Sequence, residues 1–129
     1  MDVSSFEEIK ADFDVRVQKI VWCTMTTNDR KDRLRGRIIH PIWEGSTGYL
    51  VTGRESFKAK HLAHNPYVSI SYWSPEHGLV VADCKTAWED DLEEKRRVWA
   101  LFKATPMPTG TTRRCSARRR MPRLRGCCC

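Results

Sequence analysis

A short segment near the middle of the chain carries the residue types that bind an anionic group. Thr52, Arg54, Ser56 and Lys58 alternate where an apolar stretch ends and a helical pattern begins. Ser56 can cap that helix, whose first backbone amides lack partners within the helix and carry partial positive charge. Arg54 and Lys58 add full positive charges beside this hydroxyl. Arg37, on a neighbouring strand, could complete the site as a phosphate clamp.

The same residues also fit a capped surface helix with solvated cations, and composition alone favours that simpler interpretation. A Ser/His/Asp group or a pair of catalytic carboxylates is not evident in the sequence, so the catalytic residues are unknown. His61 and His64 share a helix face, but no cysteine or carboxylate completes a metal site around them. We therefore expect no bound metal, and any catalysis must come from a cofactor.

Apolar spacing around this segment predicts alternating helices and strands. Helical spacing covers residues 4–17, 56–64 and 86–105, and a capping box formed by Thr86 and Glu89 begins the last of these helices. Strands are predicted where β-branched and aromatic residues concentrate, at residues 20–27, 34–43, 49–53, 67–73 and 79–85. Mostly antiparallel connections between them indicate an α+β fold, a small β-barrel with helices at its ends.

The net charge of +7 comes entirely from the C-terminal end of the chain. Residues 109–129 hold seven of the 23 Lys and Arg residues and no acid, which leaves 16 basic and 16 acidic residues in positions 1–108. The basic composition therefore does not indicate that the body of the chain binds nucleic acid. We expect one domain over residues 1–108, followed by a disordered tail of non-native sequence over residues 109–129.

Apolar runs and cysteines indicate the cellular compartment. The longest apolar runs are about four residues, too short to cross a membrane. The acidic residues Asp2, Glu7 and Glu8 do not fit a secretory signal. Cys23 and Cys84 lie within apolar stretches, as buried free thiols of a reducing compartment do. We therefore expect a cytoplasmic protein with no membrane partner.

An ordered set of short motifs within residues 18–105 resembles the pyridoxamine 5′-phosphate oxidase-like split-barrel family. The matching segments are Arg-Ile-Ile-His-Pro at 37–41, Tyr-Leu-Val-Thr-Gly at 49–53, Ser-x-Lys-Ala at 56–59, Asn-Pro-Tyr-Val-Ser at 65–69 and Tyr-Trp at 72–73. The resemblance implies a split β-barrel, mostly antiparallel with short flanking helices, whose C-terminal part is incomplete in this chain.

The resemblance also implies a cofactor and a partner. In that family FMN binds at the interface of a homodimer, so we expect FMN, with a deazaflavin coenzyme as the alternative, and a second copy of this chain. The strand arginine of the family corresponds to Arg37, and the lysine of its Ser-x-Lys motif corresponds to Lys58. Both would contact the flavin phosphate.

Further cofactor contacts follow from the same resemblance. Thr52 and Ser56 match polar contacts of the family, and Arg54 would suit the phosphate of either cofactor. The backbone at Ile38 and Ile39 would lie along the flavin ring.

Departures from the family pattern bear on the substrate. The oxidase itself has Arg where this chain has Phe57, and Lys where it has Ile42. The C-terminal segment with which the oxidase binds its substrate has no counterpart here. Pyridoxamine phosphate is therefore not the expected substrate. The chain looks more like the broader relatives that use FMN or a deazaflavin to transfer hydride to small molecules.

The tail has three interpretations: a basic nucleic-acid-binding arm, a cysteine cluster, or non-native sequence. Its arginines lack interleaved aromatic residues, and three consecutive terminal cysteines lack the spacing of a zinc site. Residues 110–114 can be encoded GGT ACG ACC CGG CGG, and one restored base gives Gly-Tyr-Asp-Pro-Ala, a stretch with which relatives begin their last strands. A frameshift is therefore our hypothesis, and it predicts reduced stability and weak or absent flavin binding relative to an intact relative.

The leading hypothesis is a flavin- or deazaflavin-dependent oxidoreductase with an altered C-terminus. The first alternative is a non-catalytic product, either a cofactor-binding protein or a degraded remnant. A nucleic-acid-binding protein that uses the arginine tail is the less favoured third.

Overall fold

One antiparallel sheet with three helices makes up the described part of the chain, residues 3–105 and 121–127 of a computed structural model. The strands are β1 (Cys23–Asn28), β2 (Leu34–Ile39), β3 (Ile42–Glu44), β4 (Thr47–Tyr49), β5 (Tyr67–Trp73), β6 (Leu79–Glu89) and β7 (Met121–Cys127). The helices are α1 (Lys10–Ile20), α2 (Phe57–His64) and α3 (Leu92–Ala104), and a short 3₁₀ helix (Phe6–Glu8) precedes α1.

The sheet runs in the order β2-β1-β5-β6-β7-β4-β3, and every neighbouring pair is antiparallel. The long β6 pairs with β5 along one part of its length and with β7 along the other. This arrangement confirms the predicted α+β class and the mostly antiparallel, split-barrel-like sheet.

The core lies on the inner face of the sheet. Alternate residues of β1 and β5 point inward, so Met25, Ile70 and Tyr72 are almost completely buried. Helix α1 covers this face with Phe13 and Val17. A smaller cluster forms where α3 packs through Val98 and Phe102 near Tyr49.

The buried cysteines fit the expectation from the sequence. Cys23 and Cys84 are both buried, as predicted. Burial raises the pKa of the Cys23 thiol to about 11, so this group is a packing residue. Within the described residues, no helix is long and apolar enough to span a membrane.

The start of α3 differs from the prediction. Thr86 and Glu89 do not cap a helix, because β6 continues through both residues while it pairs with β7. The true N-cap is Asp91, whose carboxylate accepts a hydrogen bond from the Glu94 amide at 2.9 Å. The chain holds two similar capping patterns five residues apart, and pairing with β7 selects the second.

The β2–β4 region is also divided differently from the prediction. The strand predicted at residues 34–43 is interrupted next to Pro41, which divides it into β2 and β3. The returning strand β4 begins at Thr47 and ends at Tyr49. Residues 50–53 leave the sheet and lead directly into α2.

Part of the tail lies in the sheet. Residues 121–127 form β7 between β4 and β6, which differs from the disorder expected for these seven residues. Strand edges at β4 and β6 expose backbone donors and acceptors, and these can pair with an extended segment of almost any side-chain composition. The rest of the tail, and the division of the chain at residue 108, lie outside the described residues.

Candidate anion-binding site

The N-terminus of α2 is built as the sequence predicts. Ser56 is the N-cap, and its Oγ accepts a hydrogen bond from the Ala59 amide at 3.2 Å. The buried Thr52 hydroxyl lies 3.0 Å from the same Oγ. The helix ends at His64 before Asn65, because the residue that precedes a proline avoids the helical region. These contacts fix the chain that joins β4 to α2.

Arg37 reaches from β2 to α2. Its Nη2 donates to the Thr27 Oγ1 at 3.0 Å and to the His61 Nδ1 at 3.2 Å. The Thr27 Oγ1 and the His61 Nδ1 are themselves 3.0 Å apart. One residue from each of β1, β2 and α2 therefore meets at a single point.

The acceptors around Arg37 are all neutral within the described residues. They are the Thr27 hydroxyl, the His61 ring nitrogen and, at 3.5 Å, the Arg35 carbonyl oxygen. The guanidinium is partly buried, and this burial lowers the pKa of Arg37. A partly buried cation without a carboxylate beside it is electrostatically incomplete, and an anion would complete it.

The other arginines of this hairpin have a carboxylate. Asp29 is 7% exposed and accepts hydrogen bonds from the side chains of Arg33 and Arg35. Burial on its own would raise the pKa of Asp29, but the bonds from Arg33, from the Lys31 and Arg33 amides and from Arg35 outweigh it and hold the pKa well below its usual range. Arg33 and Arg35 thus share one carboxylate, whereas none of the described residues forms an ion pair with Arg37.

Arg54 also has an internal partner. Its Nη2 donates to both carboxylate oxygens of Asp90, at 2.7 and 2.8 Å, and the guanidinium lies 4.8 Å from the centre of the Trp88 ring. The hydrogen bond from Arg54 is the main reason that the pKa of Asp90 is lowered. To bind a phosphate, Arg54 would have to share or leave this carboxylate.

The remaining predicted residues lie on helix α2 and on the two faces of strand β2. Lys58 lies in the first turn of α2, three residues before His61 and therefore on a similar side of the helix. Ile39 is buried in the core, whereas Ile38 is 65% exposed on the outer face of the sheet. The structure thus gathers Arg37, Lys58 and Ser56 around α2 and places Ile38 on the opposite side of β2 from Arg37.

Sequence reasoning missed three residues of this site: Thr27, Asp29 and His61. The sequence presents His61 only as a candidate metal ligand that lacks partners, whereas in the fold it is hydrogen-bonded to both β1 and β2. Its position three residues after Lys58 was an available signal. Within the described residues, no group of three or more His, Cys, Asp and Glu side chains could hold a metal ion.

The outer face of the sheet carries large exposed apolar side chains. One row across the strands contains Ile38, Thr24, Ser71 and Val81 in register. Trp73 pairs with Leu79 in the adjacent non-polar row of the same face. The large exposed apolar residues on this face of the strands are Leu34, Ile38, Tyr67, Trp73, Leu79 and Val81.

Solved structures share this fold across most of their length. A Listeria innocua protein described as a pyridoxamine 5′-phosphate oxidase has a TM-score of 0.74 and 16% identity over 92% of this chain and 93% of that one. A pyridoxamine 5′-phosphate oxidase-related, FMN-binding protein from Nostoc punctiforme has a TM-score of 0.67 and 12% identity over 97% and 82% of the two chains. An F420 reductase has a TM-score of 0.63 and 13% identity over 88% and 92%.

Comparisons of the sequence alone detect no relative of this chain among family models or curated proteins. The structural matches, at identities of 12–16%, are evidence about the fold. In its architecture, the chain has the split-barrel fold of the pyridoxamine 5′-phosphate oxidase-like, FMN-binding proteins.

Proposed function

We propose that the chain binds FMN through its phosphate at α2 and acts as a flavin-dependent oxidoreductase on a small molecule. The observation that carries this proposal is the Arg37 guanidinium, which is partly buried and surrounded by neutral acceptors in the described part of the chain. Similar solved structures include an FMN-binding protein and an F420 reductase, so a deazaflavin coenzyme is the alternative cofactor.

The residues present fit a flavin phosphate. Arg37 and Lys58 would supply positive charge, Ser56 a hydroxyl, and the first turn of α2 its amides. When bound, a flavin would supply the hydride transfer. The protein's part is then to fix the phosphate at α2 and to leave the outer face beside Ile38 available for the ring.

A second copy of this chain is the partner that we propose for the outer face. Six large apolar side chains are exposed there, more than an isolated surface ordinarily collects in one place. Asp83 and Lys85, also exposed, follow each other on the same face of β6, so a two-fold contact could pair opposite charges.

Light scattering after size-exclusion chromatography tests this dimer. Val81→Lys, on the outer face, is expected to shift the protein to a monomer, whereas Val15→Lys, at a similarly exposed apolar position on α1, leaves the dimer unchanged. A monomeric wild-type protein, or a Val81→Lys variant that remains dimeric, would refute the proposed interface.

Absorbance titration distinguishes the proposed function from the alternatives. We expect the purified protein to bind FMN or the deazaflavin, and the bound cofactor to be reduced or reoxidised with turnover of a small-molecule partner. Binding without turnover would favour the non-catalytic cofactor-binding alternative. Failure to bind either cofactor would refute the proposal and favour a degraded remnant.

The tail requires separate experiments. Salt-sensitive retention on DNA that disappears when residues 109–129 are removed would support the nucleic-acid-binding alternative. Sequencing of the gene beyond its stop codon tests the frameshift hypothesis, which predicts strand-like coding in the shifted frame. A cytoplasmic location likewise stays a prediction.

A further inference from the structure

The contacts of Arg37 define the role of a neighbouring histidine. Arg37 has no hydrogen-bond acceptor in its guanidinium, so it must donate to both the Thr27 Oγ1 and the His61 Nδ1. The Nδ1 is then an acceptor, and His61 is in its neutral form with the proton on Nε2. The Thr27 hydroxyl can donate to the same Nδ1, which closes a ring of three hydrogen-bonded groups.

We propose that neutral His61 is a positioning residue that holds the Arg37 guanidinium ready for an anion at α2. This inference rests on the proposed function, and it adds a residue that touches neither the expected phosphate nor the flavin ring. Thr27, which is 1% exposed, is the fixed support of the arrangement, since it pairs with Arg35 of β2 in a strand that β2 and β5 flank.

The surrounding charges favour this neutral state. Burial is the main cause of the lowered pKa of His61, and the charges of Arg37 and Arg35 lower it further, while Asp29 opposes them. Lys58 adds a further cation on α2 itself. Protonation would remove the acceptor of Arg37 and place a second positive charge against it.

Two substitutions separate the positioning role from helix packing. His61→Asn keeps a carbonyl oxygen near the Nδ1 position but cannot be protonated, whereas His61→Ala removes the acceptor. His64→Asn is the matched control, because His64 lies on the same helix and is exposed, with its Nε2 3.6 Å from Asp32. Circular dichroism of each variant serves as the check that it is folded.

The first readout is the dissociation constant for FMN compared with that for riboflavin, which lacks the phosphate. We expect His61→Ala to weaken FMN binding about fivefold to tenfold, which is within the range for loss of a typical intramolecular hydrogen bond, and to leave riboflavin binding unchanged. His61→Asn and His64→Asn should bind both ligands within about twofold of the wild type. Equal losses for FMN and riboflavin in His61→Ala would show a structural role and overturn the proposal.

The second readout is pH dependence, measured one pH unit above and one below the His61 pKa as determined by NMR. As the pH falls across this interval, FMN binding should weaken more for the wild type than for His61→Asn. The titration of the phosphate itself affects both proteins equally, so it cancels in the ratio of their dissociation constants. If the lower pH strengthens the wild type relative to His61→Asn, protonated His61 binds the anion itself and the proposal is wrong. An unchanged ratio also overturns it.

A third readout needs no ligand and separates this inference from the proposed function. In the ligand-free wild type and in His61→Asn, the Arg37 side-chain NMR resonances should report a fixed guanidinium, and in His61→Ala a rotating one. If FMN fails to bind but these resonances behave as expected, the proposed function fails and the positioning role stands. If the resonances do not change in His61→Ala, the positioning role fails whatever FMN does.

Discussion

Two arginines, Arg37 and Arg54, fit the same phosphate in the sequence, but the fold places them in opposite electrostatic situations. Arg54 donates two hydrogen bonds to Asp90 and lies over Trp88, so its charge is already compensated. Arg37 donates to a hydroxyl, a ring nitrogen and a carbonyl oxygen, all of them neutral. The availability of a cation for an outside anion is thus set by its internal partners, and residue type does not reveal them.

The largest effect on FMN binding is expected from a substitution of Arg37. Arg37→Gln should weaken FMN binding about 10-fold to 100-fold, because it removes charge-assisted hydrogen bonds to the phosphate. Riboflavin binding should stay unchanged, which serves as the internal control. Fluorescence titration with both ligands measures this, and an equal loss for riboflavin would show that the variant has damaged the fold.

A smaller effect is expected at the N-cap of α2, the helix that also carries His61. Ser56→Ala removes the acceptor of the Ala59 amide, and the free energy of unfolding should fall by about 1 kcal/mol. Urea denaturation measures this change. Ser56→Asp, which restores a capping oxygen, should recover the stability but weaken FMN binding, because its charge repels a phosphate.

Acidification should lower the free energy of unfolding through two histidines and Asp29. Burial lowers the pKa values of His61 and His40 below 6.5, so the unfolded chain takes up protons first as the pH falls. The free energy of unfolding should therefore decrease from pH 6.5 down to the folded-state pKa values. A further decrease should follow below pH 3.8, because the unfolded chain protonates Asp29 there while the folded chain keeps it ionised.

Chemical denaturation at several pH values, with His61→Asn as the comparison, measures the histidine contribution. The variant should lose less stability than the wild type between pH 7 and pH 5. Identical pH profiles for the two proteins would mean that His61 does not resist protonation in the fold.

The smallest expected effect lies at Arg54. Arg54→Gln should change FMN binding by less than about threefold, because Asp90 already holds the guanidinium and long-range attraction at the surface is screened. The same fluorescence titration applies. A loss as large as that of Arg37→Gln would show that Arg54 leaves Asp90 to bind the phosphate, which would restore its sequence-based role.

Local sequence signals predicted those helices and strands whose ends they mark. Strand β5 and helix α2 were predicted well because Ser56, Pro66 and Pro75 mark their ends. The start of α3 was wrong because Thr86 and Asp91 begin similar capping patterns. Pairing with β7, a distant segment, decides between them.

The site was predictable in composition but not in electrostatics. Arg37, Ser56 and Lys58 were found from residue type and motif, and the structure gathers them at α2. The decisive partners lie far away in the chain: His61 is 24 residues from Arg37, and Asp90 is 36 residues from Arg54. Nothing in local spacing reports which cation meets a carboxylate at such distances.

Parallel titration of the wild-type protein with FMN and riboflavin tests the central claim most directly. The two ligands differ in the phosphate that Arg37 and α2 would hold. We predict that FMN binds at least about 10-fold more tightly than riboflavin, since the phosphate would complete the charge of Arg37. Equal affinities for the two ligands would contradict the account, because the cation at Arg37 would then contribute nothing to cofactor binding.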